Sequence, residues 1–148
     1  MTSTEGKIII RSMEPEDISG VLEVDRKISG VQRAITYTGL VTGDLGGVLD
    51  LSFVAEVSGR VTGFILARRA YVGEPVTEVG LIQILGVDPD YWRHSIATKL
   101  ANALLERCRS VGLKTVRIMV NESDSQLQGF FAQMGFRRGQ LIDYSKTS

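Results

Sequence analysis

LIQILGVDPDYWRHSIATKLANALLERCRSVG, residues 81–112, is the stretch on which the fold turns. It opens with an apolar run, Leu81, Ile82, Ile84, Leu85 and Val87, that reads as a buried strand. Asp88-Pro89 ends it, because proline disfavours helix at the residue before it and has no N–H for a central ladder. From Ser95 onward, Ile96, Ala97, Leu100, Ala101, Leu104, Leu105 and Cys108 fall on one helical face, and Gly112 supplies the stop. A strand thus feeds a loop, and the loop opens a long helix. The first N–H groups of such a helix have no intrahelical partners and lie at its positive end, so the corner is suited to an anion. Trp92, Arg93, His94, Ser95, Ile96 and Ala97 occupy it, with two potential cations and small residues where a pyrophosphate can approach the backbone. An ordinary strand-turn-helix corner would carry the same features.

Upstream, residues 51–57 and 61–71 are β-rich and joined by Ser58-Gly59-Arg60, a hairpin signal. Gly73-Glu74-Pro75 turns the chain into the next strand, residues 77–87, where Gly80 or Gly86 marks a bulge. Residues 7–11 are short, β-branched and strand-like. Ser12 or Glu14 precedes Pro15, and Glu16 and Asp17 place acid in the first turn of a helix that buries Ile18, Val21, Leu22, Val24 and Ile28. Residues 32–50, interrupted by Gly39, Gly43, Gly46 and Gly47, read as a weak helix and then a mobile loop.

Downstream, residues 114–120 alternate and are predicted to form a strand parallel to 77–87 through a right-handed crossover, which makes the sheet mixed. Ser123, Asp124 or Ser125 caps a short helix carrying Leu127, Phe130, Phe131 and Met134, and Gly135 ends it.

The 148 residues, 43% hydrophobic, suffice for one domain over 1–148 with a core able to fold alone. A formal net charge of zero and a pI near 6.6 lack the basic surplus of nucleic-acid binders, so nucleic acid is excluded as a partner. One cysteine, Cys108, on an apolar helix face allows no disulfide within the chain and no multi-cysteine metal site. The single histidine, His94, has no ligand neighbours at useful spacing, so no metal is expected. No apolar run approaches the roughly 18 residues of a membrane span, and residues 1–6 lack the apolar core of a signal peptide. The expectation is a cytoplasmic protein with no membrane association.

Val87-Asp88-Pro89-Asp90-Tyr91-Trp92-Arg93-His94-Ser95-Ile96-Ala97 resembles the acetyl-CoA signature V-x-P-x-Y-[QR]-x-x-G-x-[GA] of the GNAT N-acetyltransferases. Val87, Pro89, Tyr91 and Ala97 match without a gap, while Trp92 replaces Gln or Arg and Ser95 replaces the central Gly. Residues 124–136 resemble a second motif of that family, N-x-x-A-x-x-[FL]-Y-x-x-x-G-F, with the spacing to Gly135-Phe136 kept. The resemblance implies an α/β (α+β) fold: a mixed, mostly antiparallel twisted sheet, helices on both faces, and a splayed central strand pair. It also implies acetyl-CoA as cosubstrate and a primary amine as acceptor. Leu85, Gly86 and Val87 would pair with the pantetheine arm, and Trp92, Arg93, His94, Ser95, Ile96, Ala97 and Thr98 would hold the pyrophosphate.

Acyl transfer to an amine needs a neutral amine, N–H donors for the tetrahedral oxyanion and often a proton for the leaving thiolate. Where related enzymes carry a water-mediated Glu base, gap-free comparison places Leu81 and Met119, and Phe131 stands where a Tyr protonates the thiolate. Tyr144, Tyr37 and His94 are candidate replacement acids, and Gln83, Glu78 and Glu122 could hold a water near the amine. Tyr144 and Gln83 are the catalytic candidates. The expected activity is direct acetyl transfer, against which stands a non-catalytic acyl-CoA-binding or assembly module of the same fold. Related chains often continue into a further strand, so a homodimer joined through a strand at residues 137–144 is expected.

Overall fold

The computed structural model describes residues 6–29 and 49–147, without the side chains of Ser29, Arg93 and His94. Strands β1 (Ile8–Ser12), β2 (Phe53–Val57), β3 (Arg60–Val72), β4 (Thr77–Val87) and β5 (Val116–Ile118) form one sheet in sequence order. Every neighbouring pair is antiparallel except β4 and β5, which are parallel. The β2–β3 hairpin closes through Ser58 and Gly59, whose φ values of 52° and 79° are the two positive angles of a turn whose twist matches the strands.

Period-two alternation divides the core between the faces of the sheet. On β3, Phe64 and Leu66 join Val21 and Val24 of helix α1 (Ile18–Ser29) on one face. Ile65 and Ala67 join Ile96, Leu100, Leu104 and Cys108 of helix α2 (Ile96–Ser110) on the other. Leu100 and Leu104 are fully buried, each stabilising the fold by about 1.5–3 kcal/mol. Helix α3 (Ser125–Gln133) adds Phe131 to the α2 side.

Both later helices end by the same device. Gly112 (φ 85°) lets Leu113 N–H donate to Cys108 O at 2.8 Å, and Gly135 (φ 96°) lets Phe136 N–H donate to Phe131 O at 2.9 Å. In each case the residue after the glycine packs into the core beside the one whose carbonyl it satisfies. Of the three candidate caps for α3, Asp124 is the one used, its carboxylate accepting from Leu127 N–H at 3.0 Å.

Four expectations change. Ile28 is 40% exposed, not buried: in the last turn of α1 only its tip reaches the sheet, with Cδ1 3.0 Å from a Cβ built at Gly86. β5 is three residues long, since only Val116–Ile118 lie against β4 before the two strands part. Residues 137–144 form no strand; Leu141, Ile142 and Tyr144 are exposed and carry no ladder. The β3–β4 bulge lies at neither Gly80 nor Gly86 but at Gln83, as the site geometry explains. The weak helix and loop expected over residues 32–50 fall almost wholly outside the described residues.

Candidate functional site

Three register pairs, Gly80↔Val116, Leu81↔Arg117 and Ile82↔Ile118, join β4 to β5. Past Ile82 the strands diverge, and β4 runs on to Val87 with no partner on that side among the described residues. Two hydrogen bonds fix which way its backbone points. Gly80 N–H donates to Thr115 O at 3.0 Å, toward β5, and Asp88 N–H donates to Thr62 O at 2.8 Å, toward β3. Counting back from Asp88 by alternation, Gly86 and Ile84 also face β3, which leaves the backbone groups of Leu85 and Val87 on the open edge. Gly86 meets a different need: a Cβ there would lie 2.9 Å from the Phe64 ring and 3.0 Å from Ile28 Cδ1, so only glycine fits beneath α1.

The change of facing is produced by one extra residue. Leu66 pairs with Ile84 and Ala67 with Ile82, so Gln83 is inserted where the strands separate. A bulge puts two consecutive residues on one face, and Gln83 therefore joins Ile84 on the α1 side. Glycine was a poor guide to this bulge, because a bulged residue near right-handed helical geometry needs no positive φ. Gln83 is half-buried, and its Oε1 is enclosed without a hydrogen-bond partner.

Beyond the strand, Asp88 caps a 3-10 segment, Pro89–His94, by accepting from Asp90 N–H at 2.9 Å. Trp92 Nε1–H donates to Val87 O at 2.8 Å, which occupies that carbonyl of the open edge. Ser95 then adopts φ 60°, ψ 23°, the left-handed conformation for which glycine is the usual residue. Its carbonyl accepts from Lys99 N–H at 3.0 Å, the first turn of α2. The N–H groups of Ile96, Ala97 and Thr98 precede that bond and have no intrahelical acceptor. Ile96 is buried, Ala97 half-buried, and Ser95 and Thr98 exposed, so the helix start is anchored below and open above.

Charge at this corner is balanced from a distance. Lys27, in the last turn of α1, places Nζ 2.8 Å from Asp88 Oδ2 and 3.6 Å from Asp90 Oδ2. The hydrogen bond to Asp88 raises the Lys27 pKa above its ordinary value despite some desolvation.

The remaining sequence candidates are scattered. Tyr144 is 90% exposed in the irregular C-terminal stretch, with no packed neighbours to orient it. Phe131 is core, with its ring edge-on to Phe130 and Phe136 at 5.0 Å each. Glu78 pairs with Tyr71 near the hairpin end of β4, and Glu122 is exposed in the turn before α3. Leu81 is buried, and Met119, just past β5, is exposed. Tyr37 lies outside the described residues, as do the side chains of Arg93 and His94. Burial raises the Cys108 thiol pKa, which suits a small core residue and not a nucleophile. Two features had no sequence signal: the Trp92 bond to Val87, and the Lys27–Asp88 pair, whose partners are 61 residues apart. Among the described residues no cluster of three His, Cys, Asp or Glu could hold a metal, and no helix is long and apolar enough to cross a membrane.

The parallel pair splayed within this antiparallel sheet leaves an edge of β4 without a strand partner among the described residues, and that edge leads to a helix start whose first N–H groups have no intrahelical acceptor. The chain belongs to the acetyltransferase (GNAT) family, whose profile matches residues 31–136. An uncharacterised N-acetyltransferase of Methanocaldococcus jannaschii is 28% identical over 94 residues, which make up 63% of this chain and 42% of that protein. The match therefore spans less than half of that relative. The aminoglycoside N-acetyltransferase AAC(6')-Iy in complex with CoA superposes with a TM-score of 0.78 at 15% identity, over 99% of this chain and 98% of that one. Diaminobutyrate acetyltransferase EctA from Paenibacillus lautus, solved with its substrate and coenzyme A, gives 0.69 at 21% identity, over 87% and 75%. At these identities the structural likeness establishes the shared fold.

Proposed function

We propose that the chain is a single-domain N-acetyltransferase that takes acetyl-CoA and delivers the acetyl group to a primary amine by direct attack. The observation that carries this reading is the fork: β5 leaves β4 after Ile82, and the edge of β4, unpaired there among the described residues, leads to the start of α2, whose first N–H groups have no intrahelical acceptor. The donor set suits the cosubstrate. Free backbone groups at Leu85 and the Val87 N–H match the amides of a pantetheine arm, and Gly86 keeps that part of β4 packed beneath α1. The N–H groups of Ile96, Ala97 and Thr98, with Trp92, Arg93, His94 and Ser95 in the approach, match a diphosphate. When bound, acetyl-CoA supplies the activated thioester.

In this reading Gln83 is put at the reacting centre because it sits where the strands part; its Oε1, enclosed and without a hydrogen-bond partner among the described residues, reaches the incoming amine or its water only after the side chain rotates out. Binding and orientation would carry most of the rate, because neither Leu81 nor Met119 can take a proton and Phe131 cannot give one. Tyr144 could serve as thiolate acid only if the C-terminal stretch folds over the fork. Two of the similar structures are an aminoglycoside N-acetyltransferase and a diaminobutyrate acetyltransferase; both substrates are amines, which supports that acceptor class. A homodimer formed through the exposed Leu141, Ile142 and Tyr144 and the edge strand β5 completes the proposal. The test of the activity is thiol release from acetyl-CoA across a panel of primary amines. Amine-dependent release lost in Gln83→Leu is the expected result; no release with any amine, in protein that binds acetyl-CoA, favours the non-catalytic binding module instead.

A further inference from the structure

Asp88 joins the open strand to the loop that receives the diphosphate, yet its side chain is only 2% exposed and negatively charged. An anion there opposes anion binding unless it is offset. Its two oxygens have separate tasks: Oδ1 accepts from Asp90 N–H and shapes the 3-10 segment, and Oδ2 accepts from Lys27 Nζ at 2.8 Å. Asp90, 78% exposed, adds a second carboxylate 3.6 Å from the same ammonium. Lys27 comes from α1, on the far face of the sheet from α2, and is the cation that the described side chains bring to this pair.

Building on the acetyl-CoA reading, we propose that Lys27 is a positioning residue for the CoA diphosphate: it neutralises Asp88 and Asp90 and ties the loop to α1. The start of α2 is thereby held in place, and the carboxylates required by the loop's own geometry do not repel the ligand. Removing the ammonium alone leaves a buried, uncompensated carboxylate at the head of the loop that precedes α2. Removing the Asp88 charge as well restores the balance, since asparagine keeps an oxygen for Asp90 N–H and is an equally good cap.

The experiment is calorimetric titration of CoA into the wild type, Lys27→Met, Lys27→Arg and Lys27→Met/Asp88→Asn. Each protein's melting temperature is measured without and with saturating CoA, so that affinity is read apart from folding. Lys27→Met should bind CoA roughly tenfold more weakly and show a smaller CoA-induced shift, as expected when one partner of a desolvated charge pair is lost. Lys27→Arg and the double variant should return to within about threefold of wild type. Wild-type affinity in Lys27→Met, or a double variant as weak as the single one, overturns the proposal while leaving the acetyl-CoA reading intact. A wild type that does not bind CoA removes both. Should Lys27→Met fail to fold, Lys27→Gln takes its place, with the same expected loss of affinity and the same overturning result.

Discussion

Placing a methyl group at Gly80 probes how tightly α2, and hence the start of the loop, is held on the sheet. A Cβ built there lies 2.7 Å from Cys108 Sγ, whereas its next neighbours, Val116 Cγ2 and Leu113 Cδ1, are at 3.8 and 3.9 Å in ordinary contact. The conflict is therefore with a single atom. Relieving it requires α2 to retreat by about 0.7 Å, and overpacking of this kind costs about 1–3 kcal/mol. Cys108 is buried, so turning its sulfur aside would displace packed neighbours. Gly80→Ala should lower the unfolding free energy by that amount, seen as a lower urea midpoint at unchanged m-value and equivalent to about 2–12 °C in melting temperature for a chain of this size. Cys108→Ala alone should cost about 1 kcal/mol through its small cavity. Combined, the two should couple favourably by at least about 1 kcal/mol, since the new methyl fills the space the sulfur leaves. A Gly80→Ala protein as stable as wild type, or strictly additive effects in the double variant, would refute the packing argument.

Ser95→Gly should stabilise the protein by about 0.5–1 kcal/mol in thermal or urea unfolding, because relief of left-handed strain outweighs the added freedom of the unfolded chain. No side-chain cap is lost, since the Ser95 hydroxyl makes none; a destabilised variant would contradict this. Phe131→Ala should cost about 3–5 kcal/mol by urea unfolding, given its burial among Phe130 and Phe136, and a loss below about 1 kcal/mol would place the ring outside the core. Burial opposes ionisation of Asp17, but hydrogen bonds from Arg11 and the Glu14 N–H, with the Arg11 charge, together hold its pKa below 3.8. A depressed carboxylate stabilises the fold above its unfolded pKa and loses that contribution as pH falls through the folded value. Asp17→Asn should therefore be less stable than wild type at pH 7, with the gap closing below about pH 3.8 in a pH series of denaturation curves; a gap independent of pH would contradict the assignment.

The strand, loop and long helix were legible because each is marked by local chemistry: the apolar run to Val87, Pro89 as the break, the 3.6-residue spacing from Ile96 and Gly112 as the stop. The hairpin at Ser58-Gly59 and the short helix before Gly135 were legible for the same reason. Quantities set by distant partners were not. The length of β5 depends on where β4 turns away, and that is decided by Gln83, a residue with no local bulge signal. The strand expected over residues 137–144 rests on the family resemblance and not on local chemistry: of Arg137-Arg138-Gly139-Gln140-Leu141-Ile142-Asp143-Tyr144 only Ile142 and Tyr144 favour strand, and among the described residues they have no ladder partner. At the site, the positions of Leu85 and Val87 followed from the strand, whereas the Trp92 hydrogen bond and the Lys27–Asp88 pair join residues that the sequence gives no reason to connect.

The most direct measurement is calorimetric titration of acetyl-CoA into the purified protein at low and at raised salt. The account predicts saturable binding at one site per chain, weakening as salt screens the diphosphate at the start of α2. The absence of any binding heat at millimolar acetyl-CoA, in protein shown to be folded by a cooperative melting transition, would contradict it.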